Sequence, residues 1–398
     1  MKTHIAIIGA GPGGLALSNA LLRKGVTDFL LLERETEVGG LCRSREVDGW
    51  PLDIGGGHFL DVRRPVATEF LFGFMPESEW DKYERDSRIL IHGQEIGSPF
   101  EANVWQLPPV WQERYLADIA AAGCVCGAPR PSRFVDWIYW KLGKGIAEDY
   151  MLPYNRKLFG DDLNQLGTYW LDKLPDVSYD DTLRSCRERR PFARQPGHAV
   201  FYYPRKYGYG EVWRRMGDAL GNRLVLGCPV TQLDVQSRII NGDMEADIIV
   251  NTAPWTSFGE VKGLSVAAAD CVAALRHTSI DVDYVGEMLN TKAQWVYLPD
   301  PSIREHRWLV RHNFCSGKGY WKETRSQRNS PERPGALRFT MDYAYPLNTI
   351  GKNEKMKSLL DELSNSRVFG LGRWGEWQHY NSDVVVERAI RFADALRT

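Results

Sequence analysis

The chain has 398 residues, of which 43% are hydrophobic and 25% charged, and its formal net charge at pH 7 is -1. Such a length exceeds one ordinary core, so two or three domains are expected. A charge this close to zero excludes an overall electrostatic pull toward nucleic acid or an anionic membrane, so any anion site has to be assembled locally.

The first element is read from HIAIIGAGPGGLALSNALLRKG, residues 4–25. Ile5 to Ile8 form a β-branched run suited to a buried parallel strand, and Leu15 to Leu22 read as the helix that follows. Between them Gly9, Gly11 and Gly14 supply G-x-G-x-x-G, with Pro12 and Gly13 inside the turn. Gly9 permits the tight turn, Gly11 lets backbone approach a pyrophosphate, and Gly14 lets helix and strand pack closely. The anion then rests on free N–H groups at the helix N-terminus. A second strand, Phe29 to Leu32, ends at Glu33, placed to accept hydrogen bonds from a ribose diol and to repel a 2′-phosphate. Strand, glycines, helix and acid together predict a dinucleotide site.

Two further glycine clusters follow. EVGGLCRS (37–44) brings Gly40 and Leu41, and DGWPLDIGGGHFL (48–60) brings Gly55, Gly56 and Gly57 before His58. Each lets backbone come close to an extended cofactor again, which FAD requires and NAD does not. Residues 66–194 are rich in Trp, Tyr and helix-compatible runs, broken by a loop at CGAPRPS (126–132). KYGYGEVWRR (206–215) places glycines before another helix. VTQLDV, from Val230, reads as a strand, and ADIIVNTAPW (246–255) as a strand running into a turn. DVDYVGEML and ALRFTMDYAY alternate apolar and polar positions as antiparallel strands do, whereas the polar run 317–335 reads as a loop. VFGLGRWGEW (368–377) is a strand leading to a glycine turn, and VVVERAIRFADAL (384–396) a helix.

These placements predict an α/β fold in which a discontinuous Rossmann-like FAD-binding domain takes residues 1–65, 195–270 and 345–398. A mainly helical insert (66–194) is expected to cover the substrate, and an antiparallel β-sheet domain (271–344) to line it. The seven cysteines are odd in number and lack paired spacing, and the eight histidines show no metal-ligand pattern, so free thiols and no metal are expected. Glycines interrupt the apolar N-terminus, and no apolar run approaches the roughly 20 residues needed to cross a bilayer. A cytoplasmic protein without membrane insertion is expected.

Four stretches, SPFEANVWQLP (98–108), WIYWKLGKGIAEDYMLPYNRKLFG (137–160), YPLNTIG (345–351) and GLGRWGEWQHYNSD (370–383), narrow the field. With the N-terminal motif, their order and spacing resemble the UDP-galactopyranose mutase family of sugar-nucleotide mutases through nearly the whole chain. Tyr154-Asn155, Tyr345-Pro346 and Gly372-Arg373 are the most distinctive pieces. The resemblance implies that reduced FAD acts with no net redox change. Flavin N5 attacks the anomeric carbon of a nucleotide sugar, the nucleoside diphosphate leaves, and the sugar recloses as a furanose. It also implies an external reductant such as NAD(P)H, and leaves the oligomeric state, nucleotide and sugar open.

Site residues follow from the same resemblance. Arg307, ten residues after Tyr297, matches the arginine and tyrosine that hold the diphosphate, and a guanidinium suits that task through paired hydrogen bonds. Lys173 falls where a second arginine is usual. Asn155 and Phe159 occupy base-contacting positions, one helical turn apart, with Phe159 in place of a tryptophan. Tyr345, in a Tyr-Pro turn, and Tyr380 add phosphate or sugar contacts. His58 matches the histidine against the flavin ring, with Gly57 before it. Arg373, with Gly372, is placed to stabilise an anionic reduced flavin. Asn381 and Ser382 offer polar groups at the start of the last helix, which Asp383 would cap. Val230 and Leu41 complete the expected cofactor contacts. The rival readings are an FAD oxidoreductase of the amine or protoporphyrinogen oxidase type, which calls for an apolar tunnel, and a binding protein that has lost catalysis.

Overall fold

The computed structural model describes residues 1–171, 176–192, 199–327 and 337–396. Its first sheet is built around the strand Lys2–Ile8, whose Ile5, Ile7 and Ile8 are buried. This strand runs parallel to Phe29–Leu32 on one side and to Met244–Asn251 on the other. Leu224–Val225 and Val368–Gly370 extend the parallel part. The helix Pro12–Arg23 crosses behind it and packs against the C-terminal helix Ser382–Ala395. Apolar runs buried on both faces are what parallel strands with helical cover require. Strands from both ends and the middle of the chain meet in this sheet.

The second sheet has seven strands in the order Leu337–Pro346, His277–Val285, Tyr320–Arg325, Arg307–Leu309, Trp295–Tyr297, Ser87–Ile91 and Gln94–Gly97. All neighbours are antiparallel except Trp295–Tyr297 against Ser87–Ile91. Two features differ from the sequence reading. The hairpin 87–97, expected in the helical insert, completes this sheet, and Ile89, Ile91 and Ile96 find their buried face there. Part of the expected polar loop 317–335 is instead the strand Tyr320–Arg325, near the middle of the sheet; residues 328–336 lie outside the described residues. The helices Pro109–Ala120, Phe134–Ile146 and Leu152–Phe159 form a separate apolar cluster on Tyr115, Phe134, Ile138 and Ile146.

Three local corrections concern the site. Tyr345 and Pro346 end a strand, with Tyr345 opposite Thr278, rather than forming a turn. Val230 precedes the strand Gln232–Asp234. The last helix begins at Ser382 with Asn381 as its N-cap, so Asp383 sits inside the first turn, where its carboxylate accepts from Val384 N at 2.7 Å. Among the described residues the seven cysteines are free, no metal-holding cluster of His, Cys, Asp or Glu occurs, and no helix is long and apolar enough to cross a membrane.

Candidate active site

The dinucleotide cradle starts where Lys2–Ile8 ends. Gly9 has φ +95°, open to glycine at little cost, and a Cβ on Gly14 would lie 2.0 Å from the carbonyl oxygen of Gly9. Beside them a Cβ on Gly11 would meet nothing within 4 Å, so the backbone ahead of the helix lies open to a ligand. Glu33 is buried at the end of its strand and accepts from Ala10 N at 2.6 Å and Glu35 N at 3.0 Å, which fixes its carboxylate beside the loop. The segment before Val230 runs alongside, with Cys228 N donating to Glu33 O at 2.8 Å.

The second and third glycine clusters stack on the first. Gly39 N donates to Ala10 O at 2.8 Å, a Cβ on Gly40 would approach Gly11 Cα to 3.3 Å, and one on Gly55 would lie 2.4 Å from Leu41 O. The last helix closes the other side, Val385 Cγ1 lying 3.1 Å from a Cβ placed on Gly13 and 3.2 Å from one on Gly372. The N-termini of two helices thus converge on one strip of glycine backbone, which is the fit an FAD-type dinucleotide demands. Ser382 Oγ and Tyr209 OH are 2.8 Å apart at its edge.

His58 stands at the far end of that strip. Its Nδ1 is buried without a partner among the described residues, and burial, reinforced by Arg373, pushes its pKa down to about 4. The ring is therefore neutral at pH 7. Beneath it Asp53, fully buried, accepts from Ser44 Oγ at 2.6 Å, Tyr203 OH at 2.9 Å and Tyr209 N at 2.9 Å, and burial still raises its carboxyl to about 6. Arg373 donates to Ala344 O at 3.0 Å and Tyr380 O at 2.8 Å, and burial lowers its pKa.

An ion pair beside tyrosines faces the glycine strip from the second sheet. Tyr297, Arg307 and Glu323 lie directly opposite one another on three successive strands, so their side chains share one face. Arg307 donates to Glu323 Oε2 from Nε at 3.0 Å and Nη2 at 2.6 Å. Burial opposes the Arg307 charge, yet Glu323 and the hydroxyls of Tyr345, Tyr154 and Tyr297 hold its pKa well above the ordinary value. Burial likewise works against Glu323, but Arg307 and His306, 3.3 Å away, keep it ionised below the usual range. A Cβ on Gly56 would lie 2.3 Å from Glu323 Oε1, so the carboxylate that holds Arg307 abuts the loop that presents His58. On the other flank Arg85 donates from Nη2 to Tyr297 OH at 2.7 Å.

Of the expected residues, the structure brings Tyr297, Arg307 and Tyr345 together near His58. Asn155 and Phe159 share a helix with Tyr154 but are turned to packing: Asn155 donates to Met151 O at 2.7 Å, and Phe159 meets Trp170 edge-on at 5.9 Å. Tyr380 points its ring toward Arg388, 5.0 Å away, and only its carbonyl reaches Arg373. Lys173 lies outside the described residues. Sequence reasoning missed Arg85, Glu323 and Asp53. Arg85 had one usable signal, a charge just before an alternating strand, whereas Glu323 sat in a stretch too polar to read as buried. Two surface cavities of about 490 and 550 Å³ are lined by other residues.

Residues 7–72 match the NAD(P)-binding Rossmann-like domain family. Over 79 residues, 20% of this chain, the sequence is 36% identical to a Baeyer-Villiger monooxygenase of Streptomyces coelicolor, and the match spans 13% of that protein's length. An uncharacterised protein from the nifH2 3′ region of Methanothermococcus thermolithotrophicus is 47% identical over 51 residues, covering 13% of this chain and 48% of that protein. Among solved structures, reduced UDP-galactopyranose mutase superposes with a TM-score of 0.89 at 22% identity, covering 99% of this chain and 93% of that one. A protoporphyrinogen oxidase homologue from Exiguobacterium gives 0.72 at 13% identity, covering 99% and 98%. Putrescine oxidase gives 0.64 at 15%, with the same coverage. The chain therefore has the fold of the mutase, a framework it shares with these oxidases.

Proposed function

We propose that this chain is a sugar-nucleotide mutase that interconverts the pyranose and furanose forms of a nucleoside-diphosphate hexose, with FAD as its cofactor. The observation that carries the reading is the cluster of Arg307 with Tyr297, Tyr154 and Tyr345, which faces His58 across the glycine strip and abuts it through Glu323. An oxidase of amines or porphyrinogens would line this space with apolar groups, and a half-buried guanidinium with three tyrosines nearby suits a diphosphate instead.

In its reduced form FAD supplies an electron-rich nitrogen that can act as a nucleophile toward the anomeric carbon of the sugar. The chain's own residues do the rest. Gly11 and the two helix N-termini hold the cofactor pyrophosphate, and Glu33 holds its ribose. Arg373 adds positive charge on the flavin side, favouring an anionic reduced state. Arg307 and the hydroxyls of Tyr297 and Tyr345 bind the substrate diphosphate and stabilise it as it departs. Because Glu323 fixes the guanidinium in advance, little reorganisation is needed when charge develops. His58, neutral at pH 7, would offer Nδ1 to accept or donate one hydrogen bond on the cofactor side of the site.

The test is a substrate panel. Protein reduced with dithionite, or with an external reductant such as NAD(P)H, is incubated with UDP-, dTDP- and GDP-hexoses, and pyranose is resolved from furanose by chromatography. Conversion of at least one sugar without oxygen uptake is expected. No conversion of any, or turnover that consumes oxygen and releases peroxide, overturns the mutase reading, and the second result favours the oxidase framework.

A further inference from the structure

The Arg307–Glu323 pair raises a problem of charge. Both hydrogen bonds of the guanidinium go to one oxygen of a buried carboxylate, so the pair is close to neutral as a unit. A bound diphosphate carries more negative charge than one guanidinium shared with Glu323 can balance. The neighbouring cation on the same side is Arg85, in the connection leading into the strand Ser87–Ile91. Its guanidinium lies over the Trp295 ring at 4.4 Å, and Trp295 in turn packs on Phe59, the residue after His58, at 4.4 Å between ring centres. From there Nε donates to Ser87 Oγ at 2.6 Å and Nη2 to Tyr297 OH at 2.7 Å. Tyr297 is also the residue directly opposite Arg307. Tyr297 therefore has one guanidinium at its hydroxyl and another opposite it on the next strand.

We infer that Arg85 is a second diphosphate-recognition residue, paired with Arg307 across Tyr297. The inference rests on the nucleotide-sugar reading above and deepens it by naming the further cation. Its chemistry is specific. A hydroxyl oxygen that accepts from a cation becomes a stronger donor, so Arg85 aims the Tyr297 proton toward a phosphate oxygen and strengthens that bond. Stacking on Trp295 and the bond to Ser87 hold the planar group in place, which lowers the entropy lost on binding. Arg85 thus acts through the Tyr297 hydroxyl, at a position set by the second sheet rather than by the helical insert.

The experiment measures binding by calorimetry on the purified, cofactor-loaded protein, with UDP, dTDP and GDP and the three corresponding monophosphates as probes. For R85Q, the nucleoside diphosphate that the wild type binds best should weaken by about 10- to 100-fold, the range for a lost charged hydrogen bond. The matching monophosphate should change by less than about threefold, because the base and first phosphate keep their contacts. In R85K the charge remains and the fork is lost, so the preference for diphosphate falls partway. Y297F added to R85Q should cost little more, since the two act as one unit. R85Q binding diphosphate as tightly as wild type overturns this inference and leaves the mutase reading standing. Equal losses for diphosphate and monophosphate also overturn it, since a general structural role would weaken both. Wild type that binds none of the diphosphates overturns both readings. R85K carries the same test if R85Q does not fold.

Discussion

Arg307→Met is the substitution with the most to reveal, because the fold and the proposed ligand make separate demands on the same guanidinium. Methionine refills most of the aliphatic stem, so the main loss is two hydrogen bonds to Glu323 Oε2, at 3.0 and 2.6 Å. The partner is left in a poor position. Its side chain is 2% exposed, and Oε1 has no other partner among the described residues. Only His306 remains, at 3.3 Å, and burial lowers that imidazole's pKa, so it gives little charge in return. Removing one side of a buried ion pair typically costs about 3–5 kcal/mol, far more than an exposed pair would. Glu323→Gln in the same chain removes the stranded charge, and the double variant should return to within about 1–2 kcal/mol of wild type, since a buried pair replaced on both sides is often near neutral. Urea unfolding followed by tryptophan fluorescence measures all three variants. Calorimetry with nucleoside diphosphates should find the double variant stable but unable to bind. The reasoning fails if Arg307→Met loses less than about 1 kcal/mol, or if Glu323→Gln does not rescue it.

Three other outcomes follow from the geometry. Gly14→Ala puts a Cβ 2.0 Å from Gly9 O, a backbone contact that cannot give way, so the cradle should open and the purified protein lose its visible flavin spectrum. Lys352 is buried, donates to Asn348 Oδ1 at 3.1 Å and Trp377 O at 2.5 Å, and burial lowers its pKa to about 7. Between that value and the unfolded 10.5 the native state binds fewer protons, so stability rises with pH. Wild type should gain about 1.5 kcal/mol relative to Lys352→Met from pH 7 to 8.5, and parallel profiles would refute this. His58 and Asp53 titrate in opposite senses. With His58 held at about 4, its contribution to stability rises with pH between 4 and 6.5. With Asp53 raised to about 6, its contribution falls between 3.8 and 6. In acid denaturation profiles, His58→Asn should remove the first slope and Asp53→Asn the second, each read as a difference from wild type.

What was legible in the sequence was whatever the backbone itself demands. Gly9 and Gly14 announce a turn and a close crossing because no other residue fits those places, and the structure shows a 2.0 Å contact where a Cβ on Gly14 would stand, while Gly11 leaves an open approach. The strand Phe29–Leu32 with Glu33 at its end was readable for a similar reason, a short apolar run bounded by polar residues. Cross-strand partners are set by register, which short-range pattern does not reveal. Ten positions separate Tyr297 from Arg307, and only the hairpin pairing places them face to face.

The misread stretch 320–325 shows how a buried ion pair can hide the strand that supports it. Composition methods treat charge as a mark of solvent, and Tyr320–Arg325 holds Lys322, Glu323 and Arg325 in six positions. Yet Glu323 is buried because Arg307 needs a counterion, and Lys322 reaches Glu305 at 3.7 Å. Polar content and central position in the sheet are thus two consequences of one cause, a cation held inside the protein. Tyr320 and Trp321 carried the contrary signal, a bulky aromatic pair of high strand propensity at the start of the run. Where a charged stretch contains such a pair and an arginine lies within hairpin distance, the polar residues are better read as its buried partners than as a loop. On that rule the Arg307 site implies its own supporting strand, and Arg85 belongs to the same accounting of charge on the same sheet.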